Sequence, residues 1–281
     1  MGNLNILVTG ATIGGIGYET ALKLASLGHK LIITCRSLER AHAAADAICA
    51  QTACSRPDAF TLDLSEEDSI SGFTKNLSEK QVSLDILINN AGFLKTDRYV
   101  NSKNIEMSMA VNYFGTRELT AQLLPLLNRG GRIINVSSST SAMGKLDFND
   151  LYLDREWRGF QAYFNSKYVL NMYTRQLADD LLERGITVNA LHPGNIVTNI
   201  WEGLWPDFKL LKVLIRLIIK TGILSARRGA RTSLYLALSP DVKDSTDGYY
   251  KNSRLARWPD NCLDKEKNRI TLREFHQYHT V

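Results

Sequence analysis

The chain has 281 residues, of which 44% are hydrophobic and 22% are charged. That size and composition allow a substantial buried core and exclude a largely disordered protein. The formal net charge of +5 is a modest excess, and because no nucleic-acid-binding motif accompanies it we expect no nucleic-acid partner. The four cysteines have no CxxC pairing and no histidine at zinc-site spacing, so we expect reduced thiols and no bound metal.

The first residues run directly into a strand pattern, without the charged and apolar regions of a secretory signal. No apolar run approaches the roughly 20 residues that a membrane-spanning helix needs. From these two features we expect a cytoplasmic location.

Short apolar runs alternate along the chain with longer segments of helical periodicity. The predicted strands are Ile6–Val8, Leu31–Cys35, Ala59–Asp63, Ile86–Ile88, Arg132–Val136, Thr187–Leu191 and a short one near Tyr249–Tyr250. The predicted helices are Tyr18–Leu27, Leu38–Gln51, Glu66–Leu77, Ile105–Leu127 and Ala162–Leu182. This alternation is typical of right-handed crossovers between parallel strands. We therefore predict one α/β domain over residues 1–281, with a Rossmann-type, doubly wound, seven-stranded parallel sheet and helices on both faces.

A glycine-rich stretch, TGATIGGIG at residues 9–17, separates the first strand from the first helix. Glycines at this position permit a tight turn and let the backbone approach a pyrophosphate. The helix that follows offers free N–H groups and a partial positive charge to the phosphates. The stretch therefore predicts a dinucleotide-binding loop.

Two residues at strand ends bear on which dinucleotide binds. Arg36 follows the second strand, where NAD-preferring proteins commonly carry a carboxylate, and it would pair with a 2′-phosphate. The alternative is an ordinary exposed arginine. Asp63 closes the third strand, where it would either bond the adenine edge or cap the next helix.

Tyr163 and Lys167 lie four residues apart in a predicted helix, so they share one helix face. An unperturbed tyrosine has a pKa of about 10, too high to accept a proton readily at neutral pH. A neighbouring ammonium lowers that pKa and makes the pair a candidate general acid/base. Alone, such a pair is more often ordinary helix surface.

Several motifs in order change that interpretation, because together they resemble the short-chain dehydrogenase/reductase family over essentially the whole chain. The matching segments are the glycine loop 9–17, the NNAG segment Asn89–Gly92, Asn112 in the long helix, Asn135–Ser138 at the fifth strand end, the Tyr163/Lys167 pair, and His192–Gly194 with Thr198. The resemblance implies hydride exchange between a nicotinamide dinucleotide and a carbonyl or alcohol carbon. It also suggests a homodimer or tetramer.

The resemblance assigns a role to four catalytic residues. Tyr163 exchanges the proton of the substrate oxygen, and Lys167 holds the nicotinamide ribose and lowers the tyrosine pKa. Ser138 polarises the carbonyl as a fixed hydrogen-bond donor. Asn112 positions a helix backbone and a water that relays protons to Lys167.

The resemblance also implies a set of cofactor-binding residues, with NADP(H) as the preferred cofactor and NAD(H) as the alternative. The set is Gly10, Thr12, Ile13, Gly15, Ile16, Gly17, Arg36, Arg40, Asp63, Leu64, Asn90, Ala91, Gly92, Tyr163, Lys167, Pro193, Gly194 and Thr198. The glycine loop departs from the family pattern by one extra residue, which we place at the loop tip, around residues 12–14.

Within the family, the chain resembles the retinol dehydrogenase group and the dehydrogenase domain of the WW-domain-containing oxidoreductase. The resemblance rests on a long insert between Ser138 and Tyr163, on the LHPGN sequence at 191–195, and on the closing GYY strand at 248–250. It implies a lipophilic substrate such as a retinal-like aldehyde, a steroid or another lipid carbonyl.

A helical segment at about 199–227 is predicted to cover the substrate. Within it Lys209, Lys212, Arg216 and Lys220 form one basic stripe among apolar residues. Two interpretations stay open for residues 208–221: a pocket cover that also contacts an anionic membrane surface, or a helix packed on the pocket or on a partner subunit.

Two hypotheses on function follow. The first is an active NADP(H)-dependent oxidoreductase acting on a lipophilic carbonyl or alcohol. The second is a catalytically weak nucleotide-binding scaffold or sensor of the same fold. Competent residues at all four catalytic positions favour the enzyme.

Overall fold

The computed structural model describes residues 3–52, 54–194 and 225–279. Thr198 and the basic stretch 208–221 therefore lie outside the described residues, as does most of the predicted covering segment at 199–227.

Within the described residues one sheet of eight strands has the order β3-β2-β1-β4-β5-β6-β7-β8. The strands are β1 (Asn5–Thr9), β2 (Lys30–Cys35), β3 (Asp58–Thr61), β4 (Leu84–Asn89), β5 (Leu127–Val136), β6 (Thr187–His192), β7 (Gly248–Lys251) and β8 (Arg254–Ala256). The first seven pair in parallel, which confirms the predicted fold class. The sequence analysis did not anticipate β8, which pairs antiparallel with β7.

The helices described are α1 (Ile16–Ser26), α2 (Leu38–Thr52), α3 (Glu67–Glu79), the single turn α4 (Met107–Met109), α5 (Thr116–Leu123), α6 (Gly159–Asp180), α7 (Ala226–Leu238) and α8 (Lys265–His279). The predicted helix Ile105–Leu127 is one helical path with a π-helical turn at Ala110–Gly115 between α4 and α5. Such turns insert an extra residue into a helix and often mark functional sites.

The sheet is buried on both faces, which explains its continuous apolar strands. Leu7 points into a core that includes Phe73 of α3, Val169 of α6 and Phe275 of α8. Its neighbours Ile6 and Val8 point into the opposite core, which includes residues of α1, α2 and α7. This alternation follows from the two-residue period of a strand.

The helix α8 is a structural element that the sequence analysis missed. It buries Leu272 and Phe275 against the domain, and the Phe275 ring meets the ring of Tyr113 edge-on at a centroid distance of 5.5 Å. The Tyr113 hydroxyl also forms a hydrogen bond with His276. The C-terminal helix thus packs directly on the π-helical turn.

Gly115 allows that turn to approach the segment after β3. A Cβ atom on Gly115 would lie 1.8 Å from the carbonyl oxygen of Leu64, a distance that backbone atoms cannot tolerate. The predicted cofactor residue Leu64 is buried, with its backbone against this glycine. The position therefore requires glycine for close packing.

We expect Gly115→Ala to lower the free energy of unfolding by about 1–3 kcal/mol, because the added methyl group displaces backbone. The matched control is Gly72→Ala at an exposed position of α3, where an added Cβ would meet nothing within 4 Å. The control should raise stability by about 0.4–1 kcal/mol, since alanine restricts the unfolded chain and favours helix. Urea unfolding followed by circular dichroism measures both. Equal stability of the two variants would contradict the packing described.

Candidate active site

The predicted functional segments meet at one edge of the sheet because parallel strands end on the same side. Register pairs Val8 of β1 with Ile88 of β4, and Ile88 with Ile134 of β5. Ile134 in turn pairs with Asn189 of β6. The glycine loop, the NNAG segment, the catalytic serine and the HPG segment therefore leave neighbouring strands in the same direction.

The glycine loop turns tightly at its tip. The amide of Gly15 donates to the carbonyl of Thr12 at 3.0 Å, and Gly14 has a φ of +84°, which only glycine adopts without strain. The turn encloses residues 12–15. The structure therefore has a tight turn in the segment where the sequence analysis places the extra residue, and that placement stays a prediction.

Asn90 and Ala91 pack so closely on the loop that two of its positions, Gly10 and Gly17, have no space for a side chain. The amide Nδ2 of Asn90 donates to the carbonyls of Thr9 at 2.8 Å and Gly10 at 3.1 Å. A Cβ on Gly17 would lie 2.4 Å from that Nδ2 atom, and a Cβ on Gly10 would lie 2.8 Å from Cα of Ala91. The side-chain NH₂ group of Asn90 is therefore committed to holding the loop closed.

The hydroxyl of Thr9 completes this arrangement. It accepts the amides of Asn90 and Ala91, each at 3.0 Å, and so ties the end of β1 to the segment after β4. The helix α1 begins after Gly15. Because glycine has no side chain, the N-cap residue does not cap the first amides of the helix. These donors and the helix dipole suit an anionic ligand in the loop.

The candidate residues for nucleotide specificity lie after β2. Arg36 and Arg40 are exposed, and the structure gives them no ion pair with any described residue. The hydroxyl of Ser37 accepts the amide of Arg40 at 3.3 Å, which starts α2 and fixes the position of Arg40. Both guanidinium groups are free to meet a phosphate.

Asp63 neither faces solvent freely nor caps α3. Its Oδ1 atom accepts the amide of Ser65 at 2.9 Å and the hydroxyl of Ser65 at 2.6 Å, closing a local turn. The N-cap of α3 is Glu66, so the helix-cap interpretation of Asp63 is wrong. Adenine recognition by its other oxygen stays a prediction.

The remaining predicted cofactor residues line the same edge. Thr12 donates its hydroxyl to the Sγ atom of Cys35 at 3.6 Å, which links the loop to β2. Ile13 and Gly92 are exposed and Ile16 is half-buried. Pro193 and Gly194 directly follow β6.

The catalytic candidates lie together at the end of β5. Lys167 is buried, and its Nζ atom donates to the carbonyl of Val136 at 2.9 Å. The same Nζ atom lies 5.9 Å from the ring centroid of Tyr163. Tyr163 is 8% exposed, and the nearby Ser138 side chain lowers its pKa. The predicted triad is thus assembled in space.

Burial dominates the titration of this pair. It raises the pKa of Tyr163 to about 12, and the nearby Ser138 side chain offsets only part of that rise. Burial also lowers the pKa of Lys167 to about 7. The expected lowering of the tyrosine pKa by Lys167 is therefore wrong for the protein groups alone. A protonated Tyr163 is the favoured form, and a protonated phenol suits proton donation to a substrate oxygen.

Ser138 is oriented by a residue that the sequence analysis missed. The amide of Thr140 donates to Ser138 Oγ at 3.2 Å and the hydroxyl of Thr140 donates to it at 2.9 Å. Both lone pairs of the serine oxygen are then occupied. The serine hydrogen is then available for donation, as the predicted role of Ser138 as a fixed hydrogen-bond donor requires.

His192 supports the same segment from β6. Its Nδ1 atom accepts the amide of Ser139 at 3.2 Å. Burial, with a smaller contribution from Lys251, lowers the pKa of His192 to about 4. The imidazole is therefore neutral at physiological pH and able to accept. The sequence analysis used His192 only as part of the HPG motif.

Asn112 links three segments from within the π-helical turn. Its Oδ1 atom accepts the amide of Phe93 at 2.7 Å, and its Nδ2 atom donates to the carbonyl of Phe93 at 2.9 Å. The same Nδ2 atom donates at 2.9 Å to Ser166 Oγ, which donates to the carbonyl of Tyr163 at 2.8 Å. The side chain thus holds the backbone of the segment after β4, and Ser166 is a further link that sequence reasoning missed. The expected positioning of a helix backbone and a water by Asn112 stays a prediction.

A second buried polar chain lies beneath the catalytic residues. Asn89 Nδ2 donates to Asn135 Oδ1 at 2.9 Å and to the hydroxyl of Thr120 at 3.0 Å. Asn135 Nδ2 donates to the hydroxyl of Thr174 at 2.9 Å. These bonds join β4 and β5 to α5 and α6 and hold the edge on which the site is built.

Among the described residues there is no group of three potential metal ligands, and no described helix is long and apolar enough to cross a membrane.

Comparison with known proteins decides the family. Residues 4–208 match the model of the family described as short chain dehydrogenase.

The chain belongs to the short-chain dehydrogenases. Among curated relatives of this short-chain dehydrogenase, human retinol dehydrogenase 13 is 35% identical over 253 residues, covering 87% of this chain and 75% of the relative. Human retinol dehydrogenase 12 is 35% identical over 252 residues, covering 89% and 78%. The family makes this chain an NAD(P)-dependent oxidoreductase acting on alcohols or carbonyls, and it places the chain in the retinol dehydrogenase-like group.

Solved structures agree with this assignment. A short-chain dehydrogenase/reductase mutant from Serratia marcescens superposes with a TM-score of 0.67 at 26% identity, covering 89% of this chain and 95% of that one. A blue fluorescent protein from a metagenomic library, in complex with NADPH, superposes with a TM-score of 0.66 at 25% identity, covering 88% and 94%.

We expect Thr140→Val to lower kcat about fivefold with little change in KM, because it removes one neutral hydrogen bond that orients Ser138. Thr140→Ser keeps the hydroxyl and should restore the rate. Steady-state oxidation of the reduced nicotinamide measures both variants. A Val variant that turns over like the Ser variant would show that Thr140 does not orient Ser138.

Proposed function

We propose that this short-chain dehydrogenase is an NADP(H)-dependent oxidoreductase that interconverts a lipophilic carbonyl compound and its alcohol, with Tyr163 as the general acid/base. The observation that carries the proposal is the placement of Tyr163 near Ser138 and beside buried Lys167, on the same sheet edge as the glycine loop. An acid and a carbonyl-polarising donor therefore lie together.

The residues present suit a bound dinucleotide. The loop leaves no room for a Cβ at Gly10 or Gly17, and the uncapped start of α1 presents amides to a phosphate. Gly10, Thr12, Ile13, Gly15, Ile16 and Gly17 would hold the pyrophosphate, with Asp63, Leu64, Ala91 and Gly92 beside the adenosine half and Pro193, Gly194 and Thr198 beside the nicotinamide. When bound, NADPH supplies the hydride that reduces the carbonyl carbon.

The protein residues handle the substrate oxygen. Ser138 donates a hydrogen bond to it, because Thr140 already occupies both lone pairs of the serine. Tyr163, protonated as its raised pKa requires, transfers its hydroxyl proton to the oxygen as the C–O double bond is reduced. Alcohol oxidation follows the reverse path, in which Tyr163 takes the hydroxyl proton.

Lys167 would hold the nicotinamide ribose through its Nζ atom, which the Val136 carbonyl already orients. The predicted relay through a water near Asn112 would return a proton to Tyr163 by way of Lys167. The position of Asn112, tied through Ser166 to the tyrosine backbone, supports that role.

The preference for NADP(H) rests on Arg36 and Arg40. Both are exposed beyond β2, and no carboxylate stands directly after that strand. An arginine there would form charge-assisted hydrogen bonds with a 2′-phosphate. The NADPH complex of the blue fluorescent protein, at 25% identity, supports this assignment.

The proposal of a lipophilic substrate rests on the retinol dehydrogenase relatives and on the basic stretch 208–221, whose other residues are mostly apolar. That stretch lies outside the described residues, and its role as a substrate cover stays a proposal. A cytoplasmic location with peripheral membrane contact, and a homodimer, are parts of the same proposal.

The test measures NADPH and NADH oxidation by the purified chain with a panel of aldehydes that includes retinal, a steroid ketone and a small polar aldehyde. We expect turnover with NADPH and a lipophilic member of the panel. NADPH binding without turnover on any member would favour a nucleotide-binding scaffold.

The same assay with Arg36→Asp tests the cofactor. We expect this variant to bind NADPH more than about tenfold more weakly, through loss of a charge-assisted pair, and to bind NADH at least as well as the wild type. Lys30→Asp is the matched control, since it makes the same charge change at the opposite end of β2 and should leave both affinities unchanged. Unchanged NADPH affinity in Arg36→Asp would overturn the preference.

A further inference from the structure

A cavity of about 520 Å³ lies between α7 and the turn that joins β7 to β8. Four of its lining side chains carry a positive charge: Arg228 and Arg231 from α7, and Lys251 and Arg254 from the hairpin. Among the described residues, no carboxylate lines the cavity. This volume is within the range of small-ligand sites, which is roughly 300–1,000 Å³.

The four cations lack counter-ions within the described part of the chain. Elsewhere on this protein, cations near α6 are paired: Arg175 with Asp247 at 3.0 Å and Lys265 with Asp179 at 2.6 Å. The four cavity cations make no such ion pair with a described residue. Clustered like charges in a concave site produce a positive potential that attracts an anion.

The cavity is held in shape by the backbone around it. Asn252 and Ser253 have φ angles of +52° and +58°, as in a two-residue hairpin turn that joins twisted strands. The amide of Ser253 donates to the hydroxyl of buried Thr232 at 3.1 Å, which fixes the turn against α7. The cations therefore project from two elements that are joined to each other.

The spacing of the cations is suited to one ligand. Arg228 and Arg231 lie three residues apart on one face of α7, and Lys251 pairs across the hairpin with Arg254. Two guanidinium groups from one wall and two cations from the other converge on the cavity. Arginine forks match the oxygens of a phosphate in geometry and charge.

The hairpin wall of the cavity lies several strands away from the proposed cofactor phosphates. In the sheet order, β7 lies four strands from β1, which carries the glycine loop, and five strands from β2, which carries Arg36. With neighbouring strands about 4.8 Å apart, these separations are roughly 19 and 24 Å. These separations apply to the hairpin wall of the cavity, whereas α7 packs against α1, which follows the glycine loop. A parallel measurement of NADPH affinity therefore distinguishes the cavity from the cofactor site.

We propose that this cavity is a second anion site, which binds the phosphate group of a phosphorylated ligand. The phosphate group is common to a soluble phosphate compound and to the headgroup of an anionic phospholipid. The sequence that leads into α7 is basic as well, because residues 208–238 contain seven lysines and arginines and no aspartate or glutamate.

The experiment compares the full chain with Arg228→Gln/Arg231→Gln. The matched control is Arg227→Gln/Lys243→Gln, which removes the same charge from exposed positions that do not line the cavity. One arm titrates inorganic phosphate at constant ionic strength and follows the thermal midpoint. The other arm measures cosedimentation with phosphatidylcholine vesicles that contain or lack phosphatidic acid. The NADPH dissociation constant of each protein is measured in parallel.

We expect the cavity variant to bind phosphate at least about tenfold more weakly than the wild type, and the control to stay within about twofold. NADPH affinity should be unchanged in both. Loss of binding to phosphatidic acid vesicles by the cavity variant alone identifies a lipid headgroup. A phosphate effect without vesicle binding identifies a soluble ligand.

Three results would overturn the proposal. The cavity variant could behave as the wild type in both arms, which would mean that the cavity binds no phosphate. Equal losses in the two double variants would show a general charge effect. A parallel fall in NADPH affinity would place these arginines in the cofactor site.

Discussion

The burial of Tyr163 and Lys167 on one helix, against the end of β5, is the constraint on which the rest of the site depends. The Lys167 ammonium donates to the Val136 carbonyl, so one bond fixes both the register of α6 and the position of the tyrosine one turn earlier. Burial raises the pKa of the phenol and lowers that of the amine. The same packing that stabilises the helix therefore sets the protonation states on which the proposed chemistry depends.

The other polar residues of the site position Tyr163 and Ser138 through hydrogen bonds to the backbone. Asn112 and Ser166 connect the segment after β4 to the carbonyl of Tyr163, and His192 holds the amide next to Ser138. Each of these groups is buried and hydrogen-bonded, so truncating one would leave its partner unsatisfied at a cost of about 1–3 kcal/mol. The same hydrogen bonds therefore position the Tyr163 and Ser138 hydroxyls and stabilise the domain.

Much of the fold could be predicted from sequence because its signals are local. Seven strands are short apolar runs, and the glycine loop and the Tyr163/Lys167 pair are spacing patterns within one segment. The strand β8 was missed because it has only three residues and depends on a turn with two positive φ angles. The helix α8 was missed because a mostly polar segment buries only a few apolar residues.

The parts of the site that sequence reasoning missed depend on long-range contacts. Ser166 meets Asn112 across 54 positions, and His192 meets Ser139 across 53. No periodicity or motif spacing reports such a bond. The pKa of Tyr163 was predicted in the wrong direction for a related reason, since spacing reveals the neighbouring lysine but not the depth of burial.

The central claim is that the Tyr163 hydroxyl transfers the proton. Its most direct test is the kcat/KM of Tyr163→Phe beside that of Tyr168→Phe, which removes the same atom from the same helix at the same 8% exposure. We expect Tyr163→Phe to lose about 10²–10⁴-fold in turnover while its NADPH affinity is retained, and Tyr168→Phe to stay near the wild type. Undiminished turnover by Tyr163→Phe would contradict the account.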